Sequence, residues 1–319
     1  MTVATTARFL MCRPDHFGVT YSINPWMNPG QWARNVHAFS TSSRAEWAAL
    51  QETLLSLGAA IEFVPPVNEL PDLVFTANAA VVLDRTALLA RFRHPERQRE
   101  QRYFESAFRA LNMRGLIDRV IELPDGLVLE GAGDCAWDQM RKLFWMGYGP
   151  RSDAASAKAV EDVFSRKVIA LELVDARYYH IDTALCSLPR GEIMYVPDAF
   201  TPDGRATINE RVEPAQQIDV RADDARRLAA NAVCIGNVII VSACSERLRS
   251  QLNERGYRVV TTPLRSFLYS GGSAMCLALR LDFRSQPTAL GPDDTATMVK
   301  SLRKNFNPET ALTKVFHQD

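Results

Sequence analysis

The sequence has no net charge with which to attract a polyanion. Its 37 Lys and Arg side chains are balanced by 37 Asp and Glu, which argues against a general nucleic-acid surface. It also lacks any apolar run approaching the roughly 20 residues of a membrane span. The opening MTVATTARFLMCRPDHFG has no charged start leading into a long apolar stretch and a cleavage site. No secretory signal is therefore expected, and the cytoplasm is the expected compartment. Cysteine is too sparse for a disulfide scaffold. The six, Cys12, Cys135, Cys186, Cys234, Cys244 and Cys276, are scattered and form no C-x-x-C pair, so structural zinc is not expected. No metal, nucleotide or other cofactor is indicated. What remains is a chain of 319 residues, 47% apolar, with ample core for a globular protein whose partner is small or another protein.

What the chain does have is an internal repeat. An apolar alternating stretch, a turn, a second stretch, an amphipathic helix and a strand recur in that order. ARFLMCRP leads to AEWAALQETLLSLG and AIEFVPP; FTANAAVVLD and TALLARF lead to YFESAFRALNMRG and RVIELPD. LEGAGDCAWD, KLFWMGYG, DAASAKAVEDVFSR and VIALELVD follow, then HIDTALCSL, EIMYVPDAF and ADDARRLAANAV. The fifth pass runs CIGNVIIVS, SERLRSQLNERG, RVVTTPL and SAMCLALRLDF. The period is about 50 to 60 residues, and no terminal pass carries a polar cap, so a closed ring of α/β units is expected. Strand ends and the turns beside them would then converge on one axial pocket. Residues 1–283 form this expected domain, and 284–319, polar with scattered prolines, an appended helix and tail.

Polar residues at strand starts and turns are the candidates for chemistry. They are Asn24 in INPWM, Asp72 and Asn78 in PDLVFTAN, Arg91 in ARF, Glu130 and Asp134 in LEGAGD, Arg151 in YGPRS, His180 and Asp182 in YYHIDT, and Cys276 in SGGSAMC. Each has a plainer explanation. A free cysteine is usually a small buried hydrophobe, Asn24 and Asp72 sit beside prolines as turn residues do, and a lone strand histidine is usually structural. LEGAGD by itself is a tight turn and fits neither the dinucleotide nor the phosphate-loop fingerprint. The stretch RFRHPERQREQR, with Glu96 and Glu100 interleaved, reads as a solvated helix face. Taken together the candidates say more. A nucleophilic thiol needs a proton-transfer partner, and that partner needs a carboxylate to orient it. If YYHIDT is a strand, His180 and Asp182 share one face and supply both. The mixture of carboxylates and arginines suits a substrate cationic at one end and anionic at the other.

These motifs also carry a resemblance. FLMC, INPWM, PDLVFTANA, RFRHPERQ, EGAGD, GYGPRS, YYHIDT and GGSAMCLALR, in this order over about residues 8–281, resemble the guanidine-modifying enzymes, and most of all the arginine dihydrolase subgroup. The resemblance implies a pentein, a five-bladed α/β propeller around a central active site. It implies Cys276 as nucleophile, His180 as general acid/base, and Glu130 and Asp182 as carboxylates near guanidinium and histidine. Arg91 and Arg151 would hold the substrate carboxylate, and Asn24, Asp72, Phe75 and Asn78 the guanidinium end. The implied activity is hydrolysis of arginine to ornithine, carbon dioxide and two ammonia through a covalent thiouronium. Asn78 favours this over a deiminase or dimethylargininase, which carry an acid at the matching place, because an amide can donate to a ureido oxygen. A deiminase giving citrulline, a dimethylargininase, an amidinotransferase and a non-catalytic pentein binding protein are the other readings. Dihydrolase relatives often carry a second, C-terminal domain, and no activity of such a domain is expected here. A small guanidino amino acid is the expected partner, with no nucleic acid and no membrane, and a homo-oligomer left open.

Overall fold

The computed structural model describes residues 6–286. Its first strands, β1 (Arg8–Cys12) and β2 (Ala60–Val64), pair in parallel. Four sets of three follow: β3 (Ala80–Leu83), β4 (Thr86–Leu89) and β5 (Arg119–Ile121); β6 (Cys135–Asp138), β7 (Leu143–Tyr148) and β8 (Val168–Glu172); β9 (Leu185–Ser187), β10 (Ile193–Tyr195) and β11 (Gln217–Asp219); β12 (Val233–Ile235), β13 (Val238–Val241) and β14 (Arg258–Thr261). In every set the first two strands are an antiparallel hairpin and the third lies parallel to the second. Parallel neighbours need a crossover, and one helix supplies it each time: Val36–Ser56, Gln101–Met113, Ser156–Phe164, Pro202–Arg211 and Glu246–Glu254.

The last strand, β15 (Leu279–Arg280), corrects the reading of the fifth pass. It does not end the fifth sheet but pairs antiparallel with β1, Phe9 opposite Arg280 and Leu10 opposite Leu279. The first sheet thereby gains the hairpin arm that every other sheet has. Five sheets of one design result, and the two ends of the repeat region close on each other, the pentein arrangement.

Local sequence explains the elements. In the helix Gln101–Met113 the buried side chains are Phe104, Phe108 and Leu111, the i, i+4, i+7 stripe of a helix with one face inward. The helix Glu246–Glu254 is capped by Ser245, whose side chain accepts from the Leu248 N–H, and buries Leu248 and Leu252. Strands β3, β4 and β13 are buried along their whole length and apolar but for Thr86, as strands covered on both faces are. The appended segment expected at 284–319 lies outside the described residues beyond 286.

Before each hairpin comes a short turn, and the five turns meet at the axis. They are Thr76–Ala79, Gly131–Gly133, Ile181–Ala184, 226–231 and 274–277. Each is hydrogen-bonded to the next. The Asn78 side-chain amide donates to the Glu130 carbonyl at a long 3.5 Å, the Ile181 N–H to Asp134 Oδ1 at 3.1 Å and the Asn231 amide to the Asp182 carbonyl at 3.1 Å. The Cys276 N–H donates to Asn231 Oδ1 at 3.2 Å, and the Ala77 N–H closes the circle on the Cys276 carbonyl at 3.1 Å.

This convergence leaves no room for a side chain at either glycine of EGAGD. A Cβ on Gly131 would stand 2.7 Å from the Asn78 carbonyl, and its φ is +61°, where an L side chain is strained. Gly131→Ala is expected to destabilise the fold by roughly 2–4 kcal/mol, measured by denaturant unfolding, and to lower activity in the fraction that still folds.

Candidate active site

The turns bring four chemistry-bearing side chains together and bury them: Cys276 is 2% exposed, His180 1%, Glu130 0% and Asp182 2%. Their pairing differs from the sequence expectation. YYHIDT is no strand; His180 is the extended residue before the helical turn Ile181–Ala184, so His180 and Asp182 do not share a strand face. Glu130, not Asp182, holds the imidazole, with Oε2 at 2.7 Å from Nε2. Asp182 instead faces the thiol, its Oδ2 3.3 Å from Cys276 Sγ. The physical reason is the turn itself, which rotates residues two apart away from each other where a strand would align them.

Cys276 is not in a strand either, but in the turn 274–277 ahead of β15. Asn231 fixes it twice, accepting from its N–H and donating to Sγ at 3.0 Å. Burial pushes the thiol up from its ordinary value, and the Asp182 carboxylate adds to the rise. Asp182 in turn is pushed up to about 7 by burial, against the pull of the Cys276 and Asn231 hydrogen bonds. His180 is pushed down to about 4, burial outweighing the Glu130 bond and the Arg151 charge adding to it. Burial would raise Glu130, but Arg151 at 3.0 Å, the His180 bond and Arg97 hold it well below the usual carboxylate range. At neutral pH the pair is therefore carboxylate and neutral imidazole. An ionised Glu130 can only accept, which assigns the proton to Nε2 and leaves Nδ1 as the basic nitrogen.

A small cavity beside the thiol is lined by Ile23, Asn24, Asp72, Phe75, Asn78, Arg97, Arg151, Tyr179, Ser270 and Cys276. The expected Asn24, Asp72, Phe75, Asn78 and Arg151 are all there. Asn24 also behaves as a turn residue, accepting from the Trp26 N–H and donating to the Ser270 carbonyl. Asp72 accepts from the Tyr21 hydroxyl through Oδ2 at 2.8 Å, while its buried Oδ1 has no partner. Asp182 Oδ1 is likewise buried and unpartnered. Arg151 stands over the Tyr179 ring at 4.5 Å and donates to the Ile23 carbonyl.

Arg91 is not in this cavity, contrary to expectation. Its guanidinium donates to the carbonyls of Leu123, Pro124 and Leu127 and pairs with Asp125, tying down an outer loop. Arg97 is there instead. The stretch RFRHPERQREQR is not wholly a solvated face, since Arg97 and Glu100 are buried in a bidentate pair, Nε donating to Oε1 and Nη2 to Oε2. Arg97 also donates to Asn78 Oδ1 at 2.7 Å and to the Asp72 carbonyl. The apparent single helix is two, Pro95–Gln98, which proline opens at its first position, and Gln101–Met113, and the short first one carries the buried Arg97.

Comparison with known proteins identifies the family and the fold. The family described as N,N dimethylarginine dimethylhydrolase, eukaryotic, matches residues 13–281. The chain belongs to the dimethylarginine dimethylhydrolase family. Among the family's relatives, the bifunctional arginine dihydrolase/ornithine cyclodeaminase ArgZ of Synechocystis is 40% identical over 280 residues, 88% of this chain and 38% of the relative. The N(G),N(G)-dimethylarginine dimethylaminohydrolase of Mycobacterium tuberculosis is 33% identical over 276 residues, 86% of both chains. The crystal structure of the N-terminal domain of ArgZ, a cysteine-to-serine mutant bound to substrate, superimposes with a TM-score of 0.82 at 38% identity and covers 88% of this chain and 100% of that one. The chain thus spans 38% of the length of the bifunctional relative. Among the described residues no helix is long and apolar enough to cross a membrane.

Asn231 and Arg97 are the residues sequence reasoning missed. A signal existed for Asn231: every other central turn had supplied a polar candidate, and the turn before CIGNVIIVS had not. For Arg97 the local charge pattern pointed outward, and only tertiary packing turns it in.

The Asp182 carboxylate raises the thiol by charge and by hydrogen bonding, so removing its charge acts in one direction. In Asp182→Asn the midpoint of Cys276 thiolate formation is expected to fall, read as ultraviolet thiolate absorbance against pH with Cys276→Ala as the blank. An unchanged midpoint would mean that burial alone sets it.

Proposed function

We propose that this chain hydrolyses the guanidino group of arginine with Cys276 as nucleophile, giving ornithine, carbon dioxide and two ammonia. The observation that carries the reading is the buried thiol accompanied by two carboxylates, Asp72 and Asp182, each with one unpartnered oxygen. Unpartnered buried carboxylate oxygens are costly, and a guanidinium is a planar cationic fork of donors that satisfies them. Its charge would also offset the burial that disfavours the thiolate. Arg151 and Arg97, in the same cavity, would bind the substrate carboxylate, a role transferred from Arg91.

The steps follow from the protonation states. The thiol proton passes to neutral His180, and Sγ attacks the guanidinium carbon. His180, oriented by Glu130, returns the proton to a terminal nitrogen as its bond to carbon breaks, and ammonia leaves a thiouronium on Cys276. Water adds to that carbon with His180 taking its proton; the C–S bond breaks with the electron pair on Sγ, and citrulline forms. A second attack of the Sγ thiolate on the ureido carbon, with His180 delivering the proton it took from water to the leaving nitrogen, expels the second ammonia and leaves a thiocarbamate. Water releases this as a carbamate, which breaks down to ornithine and carbon dioxide.

Asn78 supports the second round. Arg97 donates to Oδ1 and so fixes the amide with Nδ2 as the donor, which a ureido oxygen can accept. The name of the mycobacterial relative keeps dimethylarginine as the second reading, in which dimethylamine departs in place of ammonia. The cytoplasm is the location that goes with six free thiols.

Product analysis tests the reading directly. Arginine incubated with the protein is expected to give ornithine with two ammonia; citrulline with one would leave a deiminase, and turnover of dimethylarginine alone a dimethylargininase. Cys276→Ala is expected to lower the rate by about a thousandfold or more without loss of folding. Asn78→Asp retains the acceptor for Arg97 but removes the donor, and is expected to stop at citrulline. Continued ornithine production by that variant would show that the amide does not select the second round.

A further inference from the structure

The ring of turns separates two cavities. The front one, beside Cys276, has a volume of only about 10 Å³, barely what one water needs. Residues 21–27 cover it: Arg151 donates to the Ile23 carbonyl, Asn24 to the Ser270 carbonyl and the Trp26 indole to the Arg177 carbonyl at 2.7 Å. A second cavity, about 290 Å³, lies on the other side of the turns. Its walls come from the strands that follow each turn, Val81, Ala136, Leu185, Val233 and Leu279 among them, so it continues along the same axis. Gln139 and Gly236 at its outer rim are exposed, which opens it to solvent.

Asp182 joins the two. It lines the rear cavity, and its Oδ2 is 3.3 Å from Cys276 Sγ. One carboxylate therefore stands between the thiol and a solvent-connected space that no step of the proposed chemistry uses. We infer that the rear cavity is a passage for the small neutral reactants, water inward and ammonia outward, with Asp182 at its inner end.

The chemistry supplies the need. Each hydrolysis of a thiouronium or thiocarbamate consumes one water, and each C–N cleavage releases one ammonia, while the amino acid fills the front cavity beneath residues 21–27. Opening the front for every water and ammonia would release the intermediate amino acid between rounds. A mainly apolar wall passes water and neutral ammonia but holds back a zwitterionic amino acid, whose charges would have to be desolvated. The proton that the guanidinium leaves behind in the first round is the one the ornithine amine takes up in the second, so ammonia can leave neutral and be protonated only in solvent. Three thiols, Cys135, Cys186 and Cys234, also line this space, which places Cys135 away from the substrate side although it follows Asp134.

This inference rests on the arginine-hydrolysing reading, and one series of variants separates the two. Ala136 and Cys234 line the rear cavity and touch none of the reacting groups. Ala136→Val, Ala136→Leu and Ala136→Trp fill it by steps, and Cys234→Trp fills it from another sheet. In variants that melt like the wild type, kcat is expected to fall in order of added volume, about tenfold for the largest. KM for arginine is expected to stay within about twofold, and the covalent adduct on Cys276 to accumulate in acid-quenched samples weighed by mass spectrometry. Wild-type kcat in the filled variants, or slower turnover without accumulation of adduct, would overturn the passage while leaving the function intact. If the tryptophan variants do not fold, the valine and leucine steps carry the test. A wild-type protein that turns over neither arginine nor dimethylarginine would instead remove the proposed function and the passage with it.

Discussion

The ring of hydrogen bonds at the axis is the constraint on which everything else in this molecule depends. Five short turns each bond to the next, from Ala77 through Glu130, Asp134, Asp182 and Asn231 to Cys276 and back. Backbone groups so deeply buried must find partners, and only a neighbouring turn is close enough to supply them. The sheets radiate from this ring, and β15 must return to β1 because the fifth turn has to sit beside the first. Gly131 and Gly133 follow from the same demand, since a Cβ at either would strike Asn78.

The ring also sets the electrostatics. It removes Glu130, His180, Asp182 and Cys276 from water, and burial disfavours whichever form is charged. Glu130 escapes that outcome because Arg151 and Arg97 compensate it; Asp182, with no cation beside it, is pushed up to about 7. The neighbouring network of Arg97, Glu100, Asp72 and Tyr21 is similar: burial pushes Glu100 up to about 7 even against its bidentate partner. Two acidic groups left near neutrality and two unpartnered carboxylate oxygens describe a site organised around a cation.

Much of this was legible from residues alone. Strand alternation and helical stripes are local signals, and they gave most of the elements because each is built from a contiguous segment; in the fourth unit ADDARRLAANAV is only the short helix Ala222–Ala225 and a turn, and the crossover helix is the polar Pro202–Arg211, which buries too few side chains to show a stripe. The polar residues at the turns stood out against apolar surroundings, so Cys276, His180, Glu130, Asp182, Asp72, Asn78 and Arg151 were all candidates. Errors arose where a local pattern was ambiguous. YYHIDT has an apolar residue between two polar ones and reads as strand or turn alike. HPERQ has the charge density of a surface helix, yet Arg97 and Glu100 neutralise each other inside. Arg91 in ARF stands where the repeat places its polar candidates, but its guanidinium turns outward to the carbonyls at 123–127.

The amino-acid sequence by itself determined the elements, their fivefold recurrence and the set of residues able to do chemistry, because periodicity, glycine and proline act over a few neighbours. It could not decide which carboxylate serves which partner. That Glu130 meets His180, Asp182 meets the thiol and Arg97 replaces Arg91 depends on rotations of turns and on contacts between residues up to 94 positions apart. Only closure of the ring decided these, because the cost of an unpartnered buried group is assessed in the packed structure and nowhere earlier.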